Sequence, residues 1–209
     1  MSIRIQTLVC GAYQANAYLL YNDSSDECLL IDAGDDLAAL RRAVEASGRR
    51  LAAILLTHGH FDHIIAAEPL SRETGAPVYT HPGDAPMLCD SFLNSWPGPD
   101  SCQLPCPTEL TSLPYPEGEF VLAGIRLEAL HTPGHTPGGV CLYCREENLL
   151  FSGDTLFADG FGRTDLPGGN VRGLMNSLKA LLAMPGTTRL FPGHGRESTI
   201  AAVKGRFMR

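Results

Sequence analysis

The sequence feature that most constrains the fold is an apolar run that ends in a cluster of metal-binding side-chain types. Residues 51–56 (Leu-Ala-Ala-Ile-Leu-Leu) predict a buried strand, and residues 57–63 (Thr-His-Gly-His-Phe-Asp-His) follow it directly. A lone histidine at a strand end is usually a hydrogen-bonded polar residue. Four ionisable side chains this close together are costly to bury without partners, and imidazole and carboxylate groups suit zinc, iron and related metals. The cluster therefore predicts a metal site at the carboxyl end of a strand.

The spacing within the cluster predicts that its side chains point in two directions. Gly59 lets the backbone bend between His58 and His60, so that both rings converge on one ion. A helix that starts directly after this pair would turn Asp62 and His63 away from it. These two side chains are therefore expected to face a second ion.

Size and charge limit the classes of protein that the chain can represent. Its 209 residues suffice for one sizeable core, so we predict a single domain over residues 1–209. The formal net charge of −7 and the lack of a basic patch give no support for a nucleic-acid partner or for attraction to anionic membranes. No apolar run approaches the roughly 18 residues of a membrane span, and the N-terminus lacks a signal-peptide pattern. No pattern indicates an oligomeric state.

Cysteine usage favours a reducing, cytoplasmic location. The chain has seven cysteines, an odd number without the spacing of a disulfide framework. Cys141 and Cys144 resemble a metal-binding CxxC pair, but they lie in a predicted strand, where residues three apart face opposite sides. Cys102 and Cys106 lie in a proline-rich loop, and their close spacing leaves open an adventitious metal site there.

The order of predicted elements indicates a layered α/β fold. Strands are predicted at residues 3–9, 16–21, 28–32, 51–56, 78–80, 119–122, 125–130, 139–144, 148–152 and 189–191. Helices are predicted at residues 37–44, from about 61 to 74, at 171–183 and at 197–204. Asp35 or Asp36 can cap the first helix, and Pro69 is expected to kink or break the second. Strands followed by helices occur twice, which predicts two sheets packed face to face with helices outside.

The segment from residue 82 to residue 118 differs from the rest of the chain in its high density of prolines. Such a density argues against sheet and against a long helix, apart from a turn or two of helix at residues 85–93. Two roles stay open for this excursion, because long loops are either functional or inert. It is either a lid beside the site or a connector over the surface.

Three later loops repeat the combination of a strand end, a tight turn and one metal-type side chain. His135 lies in a loop that two prolines and two glycines make rigid, at residues 131–138. Asp154 follows an apolar run, and His194 follows the last predicted strand. Loops that a rigid sheet positions are where binding and catalysis concentrate, so we expect these side chains to join the site.

Together these residues give the chain a resemblance to a known family. The motif at residues 57–63, combined with His135, Asp154 and His194, resembles the five motif regions of the metallo-β-lactamase superfamily. The resemblance implies an α/β fold, a four-layer αββα sandwich with two mixed β-sheets face to face and helices outside. Within that superfamily the short, single-domain glyoxalase II-like (hydroxyacylglutathione hydrolase-like) proteins are similar at residues 132–138, 153–157 and 162–169.

The resemblance also implies two metal positions. The ligands that it assigns are His58, His60 and His135 for the first ion, Asp62, His63 and His194 for the second, and Asp154 as the bridge. The expected cofactor is two divalent metal ions, with zinc preferred and iron or manganese as alternatives. Asp62 and Asp154 are also expected to act in catalysis, because they hold the ions that make a hydroxide available. Thr57 is expected to orient the ligand rings, His131 to be structural, and His81 to face solvent or start a helix.

The implied reaction is hydrolysis of a small-molecule thioester by a metal-bound hydroxide. A thiolate leaves readily, so no strong general acid is needed. We assign Arg163 and Asp165, in the loop after Asp154, to substrate binding, because a guanidinium suits a substrate carboxylate. An ion pair between these two residues is the alternative. Two-domain glyoxalase II enzymes have a further helical domain that contacts glutathione and an aromatic residue where Thr164-Asp165 stands here, so a different carrier thiol is expected.

Other functions stay open beside the thioesterase. The alternative enzyme is a persulfide dioxygenase with one iron held by His58, His135 and Asp154. Those relatives carry an Asp-Tyr pair after the last motif histidine, where this chain has Gly195-Arg196. A non-catalytic metal-binding module is a third hypothesis. A secreted β-lactamase is disfavoured, because the chain starts without a signal peptide and carries Asp154.

Overall fold

Two six-stranded β-sheets form the middle of the protein, as a computed structural model that describes residues 2–98, 110–116 and 118–207 shows. The first sheet contains, in spatial order, β1 (Arg4–Cys10), β2 (Ala15–Tyr21), β3 (Glu27–Ile31), β4 (Arg50–Leu55), β5 (Val78–Thr80) and β6 (Leu113–Pro114). The first three strands form an antiparallel meander, and the strands from β3 to β6 run parallel to one another. The sheet is therefore mixed, as predicted.

The second sheet is also mixed, and its strands again follow chain order from one edge to the other. Its strands are β7 (Glu119–Leu122), β8 (Ile125–His131), β9 (Val140–Cys144), β10 (Leu149–Gly153), β13 (Arg189–Pro192) and β14 (Ser198–Thr199). β10 and β13 are parallel neighbours, and the other pairs are antiparallel. Between β10 and β13 the chain forms a separate small hairpin of β11 (Leu156–Phe157) and β12 (Gly160–Phe161). This hairpin lies beside the functional site.

The helices begin and end where local sequence signals place them. They are α1 (Leu37–Ser47), α2 (Phe61–Ile64), α3 (Ala67–Thr74), α4 (Val171–Leu182) and α5 (Ile200–Phe207), with a 3-10 helix at Ala85–Cys89. Asp36 caps α1 by accepting a hydrogen bond from the backbone N–H of Ala39 at 2.9 Å. The predicted break in the second helix is confirmed and falls between α2 and α3. Pro69 causes it, because proline has no N–H and its ring clashes with the carbonyl of Ile65 in a continuous helix.

Three buried clusters show how the layers are stacked. The cluster between the sheets includes Phe151 and Phe191, whose rings stack with centroids 5.0 Å apart. A second cluster joins the outer face of the first sheet to α1 and α3, and a third joins the outer face of the second sheet to α4 and α5. Each large apolar side chain buried in this way contributes about 1.5–3 kcal/mol. The predicted four-layer αββα sandwich is confirmed.

Side-chain direction along β9 settles the interpretation of the CxxC pair. Cys141 belongs to the cluster beneath α4, whereas Cys144 belongs to the cluster between the sheets. The two thiols face opposite sides of the strand, as predicted, and do not share a metal. The other closely spaced pair, Cys102 and Cys106, lies outside the described residues.

Two boundaries differ from the predictions. Residues 113–114 form the edge strand β6, although the proline density predicted no sheet in this segment. An edge strand tolerates Pro114, because the missing N–H need not serve an inner ladder. The last helix begins at Ile200 rather than 197, because Ser198 and Thr199 pair with β13 as a short strand.

In the described part of the chain no helix is long and apolar enough to cross a bilayer. The single-domain organisation stays a prediction.

Candidate metal centre

The loops that carry the candidate ligands leave both sheets at one edge. The segment 57–63 leaves β4 of the first sheet, whereas the loops with His135, Asp154 and His194 leave β8, β10 and β13 of the second. Backbone contacts join the first sheet to the second, because the N–H of Val140 donates to the carbonyl of Thr57 at 2.8 Å and β2 contacts the loop of His194. The N–H of Asn16 donates to the carbonyl of Gly193 at 2.7 Å, and Ala15 forms an isolated bridge with His194. The edge is therefore one structure to which both sheets contribute.

The first group of candidate ligands consists of three buried histidines. One ring nitrogen from each of His58, His60 and His135 lies within 4.8 Å of the others. His60 Nδ1 and His135 Nε2 are 2.9 Å apart. The Nε2 atoms of His58 and His60 are buried and have no hydrogen-bond partner among the described residues. Unpartnered polar atoms in a buried site are costly, so this arrangement fits an ion that accepts the lone pairs of His58 Nε2 and of the two facing nitrogens, His60 Nδ1 and His135 Nε2.

The second group combines a carboxylate with two histidines. Asp62 Oδ2 lies 3.3 Å from His194 Nε2 and 3.8 Å from His63 Nε2, and the two histidine nitrogens are 3.2 Å apart. Two ligands that each lie about 2.1 Å from one ion at a tetrahedral angle are separated by roughly 3.4 Å. The observed separations match that requirement. These side chains therefore fit a second divalent ion.

Asp154 lies between the two groups. Its Oδ1 is 3.5 Å from His63 Nε2, and its Oδ2 is 3.6 Å from His135 Nε2 and 3.5 Å from His194 Nε2. Oδ1 is buried without a hydrogen-bond partner among the described residues. One carboxylate that reaches both groups has the placement of a bridging ligand.

The two groups differ in their electrostatics. Burial lowers the pKa of His58 well below its ordinary value, and the neighbouring imidazoles act in the same direction. Burial likewise lowers the pKa of His60 to about 3, with His135 adding to the effect. Neutral imidazole is the form that binds a metal ion. His58 and His60 are therefore held in their metal-binding form at neutral pH.

The second group instead attracts positive charge. Burial alone would lower the pKa of His63, but the carboxylates of Asp62, Asp154 and Asp32 raise it to about 10. Burial opposes ionisation of Asp62, yet His63 and His194 hold the pKa of Asp62 well below its ordinary value. Three carboxylates around one imidazole stabilise a cation at this position. A divalent metal ion bound by His63 would supply this positive charge in place of the proton.

Hydrogen bonds on the outer side of the ligand rings decide which nitrogens face the centre. His63 Nδ1 donates to Asp32 Oδ2 at 2.9 Å, and His135 Nδ1 donates to the carbonyl of Arg163 at 2.7 Å. Thr57 Oγ1 donates to Asp32 at 2.8 Å and accepts from His58 Nδ1 at 3.0 Å. Because the proton of each ring lies on Nδ1, each Nε2 keeps its lone pair towards the centre. The predicted orienting role of Thr57 agrees with these contacts.

Asp32 is a site residue that was not predicted from the sequence, where it only ended the predicted strand at residues 28–32. Its Oδ1 also accepts the backbone N–H of Thr57 at 2.7 Å, so this one carboxylate holds both Thr57 and His63. It is buried and has a φ of 57°, a backbone conformation that asparagine and aspartate tolerate better than most residues. A buried acid directly after the apolar run Leu29–Ile31 was the signal that could have identified it.

Asp84, at the start of the proline-rich excursion, is the second residue that the sequence analysis missed. Its Oδ2 accepts the N–H of Gly59 at 3.0 Å and the hydroxyl of Thr136 at 2.7 Å. Its Oδ1 accepts the N–H of Gly138 at 2.5 Å. Burial raises the pKa of Asp84, although these three donors oppose the shift. One buried carboxylate thus ties the His58–His60 turn to the loop of His135.

Replacing Asp84 with asparagine is expected to weaken metal binding at the first group about 10–100-fold, while the second group keeps its affinity. The amide NH₂ of asparagine would face backbone and hydroxyl donors that the carboxylate accepts, so the two loops would separate. Titration of the metal-free variant with zinc against a competing chelator measures both affinities. Asp90→Asn is the matched control, because exposed Asp90 accepts from the nearby N–H groups of Phe92 and Leu93 and, among the described residues, joins no loop of the centre. Equal weakening at both groups would contradict the specific role of Asp84.

The predicted substrate-contact residues lie on the surface beside the centre. Arg163 and Asp165 form a two-bond ion pair, with distances of 2.7 and 2.6 Å. The ion pair that was the alternative is present, and a substrate contact by these side chains stays a prediction. His81 and His131 stack on each other with centroids 4.0 Å apart, and His131 Nε2 donates to the carbonyl of Pro137 at 2.9 Å. They do not join the metal centre.

The fold and the centre define a metallo-hydrolase, and comparison with known families identifies which kind. The sequence model of the Metallo-beta-lactamase superfamily matches residues 10–194, which includes every candidate metal ligand. The chain belongs to the metallo-beta-lactamase superfamily.

Two relatives are similar over almost their whole length. The chain is 38% identical over 196 residues to the probable metallo-hydrolase YqgX of Bacillus subtilis, covering 91% of this chain and 89% of that protein. It is 32% identical over 209 residues to hydroxyacylglutathione hydrolase GloC of Haemophilus influenzae, covering 97% of this chain and 95% of that protein. The predicted resemblance to glyoxalase II-like members is confirmed.

Solved structures of three related proteins have the same fold. The BLEG-1 B3 metallo-beta-lactamase superposes with a TM-score of 0.85 at 36% identity, covering 95% of each chain. A di-iron-bound form of TTHA1623 superposes with a TM-score of 0.83 at 39% identity, covering 96% of this chain and 97% of the other. ETHE1 from Myxococcus xanthus superposes with a TM-score of 0.73 at 25% identity, covering 96% of this chain and 81% of the other.

Proposed function

We propose that the protein is a two-metal hydrolase that cleaves hydroxyacyl thioesters in the manner of glyoxalase II. The observation that carries this proposal is the pair of ligand groups with Asp154 between them. The likeness to GloC, named a hydroxyacylglutathione hydrolase, supports a thioester substrate. We propose zinc as the native metal. Iron and manganese are the alternatives, and the di-iron form of TTHA1623 supports iron among them.

The side chains of this centre have distinct tasks in the proposed reaction. His58, His60 and His135 would hold one ion and Asp62, His63 and His194 the other, with Asp154 as the bridge. When bound, two divalent ions would lower the pKa of a water to near neutrality and polarise a carbonyl oxygen. In hydrolysis an oxygen of water bonds to the acyl carbon, the C–S bond breaks, and the thiol product takes up a proton.

The chain supplies orientation and charge for these steps. Asp62 and Asp154 bring two negative charges to the centre, which compensate only part of the charge of two divalent ions. The site therefore stays positive and favours the anionic transition state of acyl transfer. Thr57, Asp32 and the Arg163 carbonyl fix the Nδ1 protons of the ligand rings. A thiolate is a good leaving group, so the absence of a strong general acid among the candidate residues is compatible with this reaction.

A persulfide dioxygenase is the second candidate, favoured by the structural likeness to ETHE1. In that case one iron would be held by His58, His135 and Asp154, a two-histidine, one-carboxylate set typical of oxygen-activating iron. Lactam hydrolysis enters as a third outcome because of the likeness to BLEG-1. The second group, with Asp62 only 3.3 Å from His194, has no task in a one-iron enzyme, so we favour the two-metal hydrolase.

The deciding experiment combines elemental analysis of freshly purified protein with turnover assays. We expect two metals per chain and hydrolysis of a panel of hydroxyacyl thioesters. Oxygen uptake with glutathione persulfide at one iron per chain would instead establish the dioxygenase, and turnover of a chromogenic cephalosporin would establish a lactamase. Bound metal without turnover of any of these substrates would favour a metal-binding module.

We also propose a reducing, cytoplasmic location with small-molecule partners. The five cysteines among the described residues are all free thiols, which supports a reducing compartment. The net charge of −7 gives no attraction to nucleic acid or to anionic membranes.

A further inference from the structure

A small cavity opens beside the proposed second ion. Its volume is about 270 Å³, and it lies between the β11–β12 hairpin and the loop that follows His194. Phe157 and Phe161 supply apolar walls, and Arg196 and Asp159 supply charge. Because His194 itself lines the cavity, a molecule bound here lies next to the proposed reacting centre. The proposed mechanism assigns no task to this cavity.

A larger apolar cavity adjoins the first and shares one wall with it. Its volume is about 470 Å³, and Phe161 lines both cavities. Its other walls are apolar side chains of α4, among them Met175, which is 44% exposed although it is a large hydrophobic residue. Lys179 and Lys204 lie at its border, and none of the described lining residues is acidic. Because Phe161 lines both, the two cavities are neighbours: one lies at His194 and the other is lined by α4 and by Lys204 of α5, and we call them together the path.

Charge along this path is opposite to the charge of the whole protein. The chain contains two lysines, and both line the larger cavity, although the formal net charge is −7. In the smaller cavity Asp159 is shared between two guanidinium groups. Arg196 lies 3.2 Å from its Oδ1, and Arg206 contacts the same oxygen. The lining of the path thus carries three cationic side chains, Arg196, Lys179 and Lys204, against the one carboxylate of Asp159, so the path has an excess of positive charge. Such a local field concentrates anionic ligands.

The ion pair of Arg163, whose carbonyl contacts His135 of the first ligand group, provides a contrast. Arg163 and Asp165 neutralise each other through two hydrogen bonds, one arginine to one carboxylate. Arg196 shares its carboxylate partner with a second arginine, and its side chain is 63% exposed. An incoming anion can therefore pair with Arg196 while Asp159 keeps Arg206. Of these two arginines, Arg196 is the better placed to bind an anionic substrate group.

We propose that this path, the cationic trough formed by Phe157, Phe161, Arg196, Lys179 and Lys204, binds the carrier-thiol half of the thioester. The inference rests on the proposed thioesterase function and adds a substrate class to it. The carrier is a thiol that bears carboxylate or phosphate groups on an arm with apolar segments. Its anionic group pairs with Arg196 or the lysines, its arm lies against the two phenylalanines, and its sulfur points to the metal centre.

The test compares three thioesters that share one acyl group. The carriers are glutathione, which has carboxylates, coenzyme A, which has phosphates, and uncharged N-acetylcysteamine. For Arg196→Ala we expect the ratio of kcat/KM for the better anionic substrate to kcat/KM for the uncharged one to fall about tenfold. For Asp159→Asn, which frees the guanidinium groups, we expect this ratio to rise. The double variant Lys179→Ala with Lys204→Ala should lower the same ratio only for the carrier whose anionic group reaches the larger cavity. A fall for the coenzyme A thioester alone assigns a phosphate to the lysines, and a fall for the glutathione thioester alone assigns a carboxylate.

Arg126→Ala is the matched control, because exposed Arg126, near the start of β8, pairs with Glu146 in the turn between β9 and β10 and lines neither cavity of the path, so its loss should leave the ratio unchanged. The trough proposal is overturned if the wild type hydrolyses thioesters but Arg196→Ala changes charged and uncharged substrates equally. That outcome leaves the thioesterase proposal intact. Lack of turnover of all three thioesters by the metal-loaded wild type removes the thioesterase proposal and the trough proposal with it.

Discussion

Replacing Asp154 with alanine is expected to lower kcat for thioester hydrolysis by at least about 100-fold and to reduce the bound metal from two ions per chain towards one. Asp154 is the side chain that lies within 3.6 Å of histidines from both ligand groups. Without it the two groups lose their shared anion, so the mutual repulsion of two bound cations would be less compensated. Stopped-assay kinetics and elemental analysis of the same preparation measure both effects.

Two further variants make this result specific. Asp154→Asn keeps the shape of the side chain but removes its charge, so we expect smaller decreases in kcat and in bound metal than for Asp154→Ala. Asp23→Ala serves as the control, because Asp23 is an exposed carboxylate that pairs with Arg4 far from the centre. If Asp154→Ala retained both ions and full turnover, the bridging role would be wrong.

Gly193→Ala is expected to have the second-largest effect. A methyl group at Gly193 would overlap Asp154 Oδ1 and lie 2.9 Å from Cε1 of His63. The backbone cannot retreat, because its N–H donates to Gly153 at 2.8 Å and its carbonyl accepts from Asn16 at 2.7 Å. We expect loss of the second ion, a fall in kcat of about 100-fold, and destabilisation of about 1–3 kcal/mol from overpacking.

The control for this substitution is another glycine-to-alanine change. A methyl group at Gly205 in α5 would meet nothing within 4 Å, so Gly205→Ala should be neutral or stabilise by up to about 1 kcal/mol. Thermal unfolding of the metal-free and metal-loaded proteins separates the destabilisation that overpacking causes in Gly193→Ala from the stability that is lost with the second ion. A metal-loaded Gly193→Ala protein with wild-type stoichiometry and turnover would show that the loop accommodates the methyl group.

The candidate ligands were predictable because their signals are local. A run of apolar residues that ends in His58 and His60 indicates a strand and its carboxyl end in one segment, and the same pattern recurs before Asp154 and His194. The break before α3 was predictable for a similar reason, since Pro69 acts on its own helix through covalent geometry. Short-range rules of this kind can be applied without knowing which segments meet in space.

The residues that support the ligands were not predictable in the same way. Asp32 and Asp84 act on side chains and loops 25 to 54 residues away in the chain, and nothing in their own neighbourhood specifies those partners. The same holds for Lys179 and Lys204, which share a cavity only because α4 and α5 pack side by side. The edge strand β6 was missed because its proline argues against sheet unless the position at the sheet edge is known.

The division of the ligands between the sheets has a consequence for folding. His60 and Asp62 come from the first sheet, whereas His135 and His194 come from the second, so each ligand group draws on both. An ion bound to either group therefore acts as a cross-link between the two halves of the sandwich. Because it binds the assembled halves and not the separated ones, its binding energy adds to the stability of their packing. In the proposed enzyme the ions would therefore stabilise the packing of the two sheets as well as take part in the reaction, and their removal would lower both stability and activity.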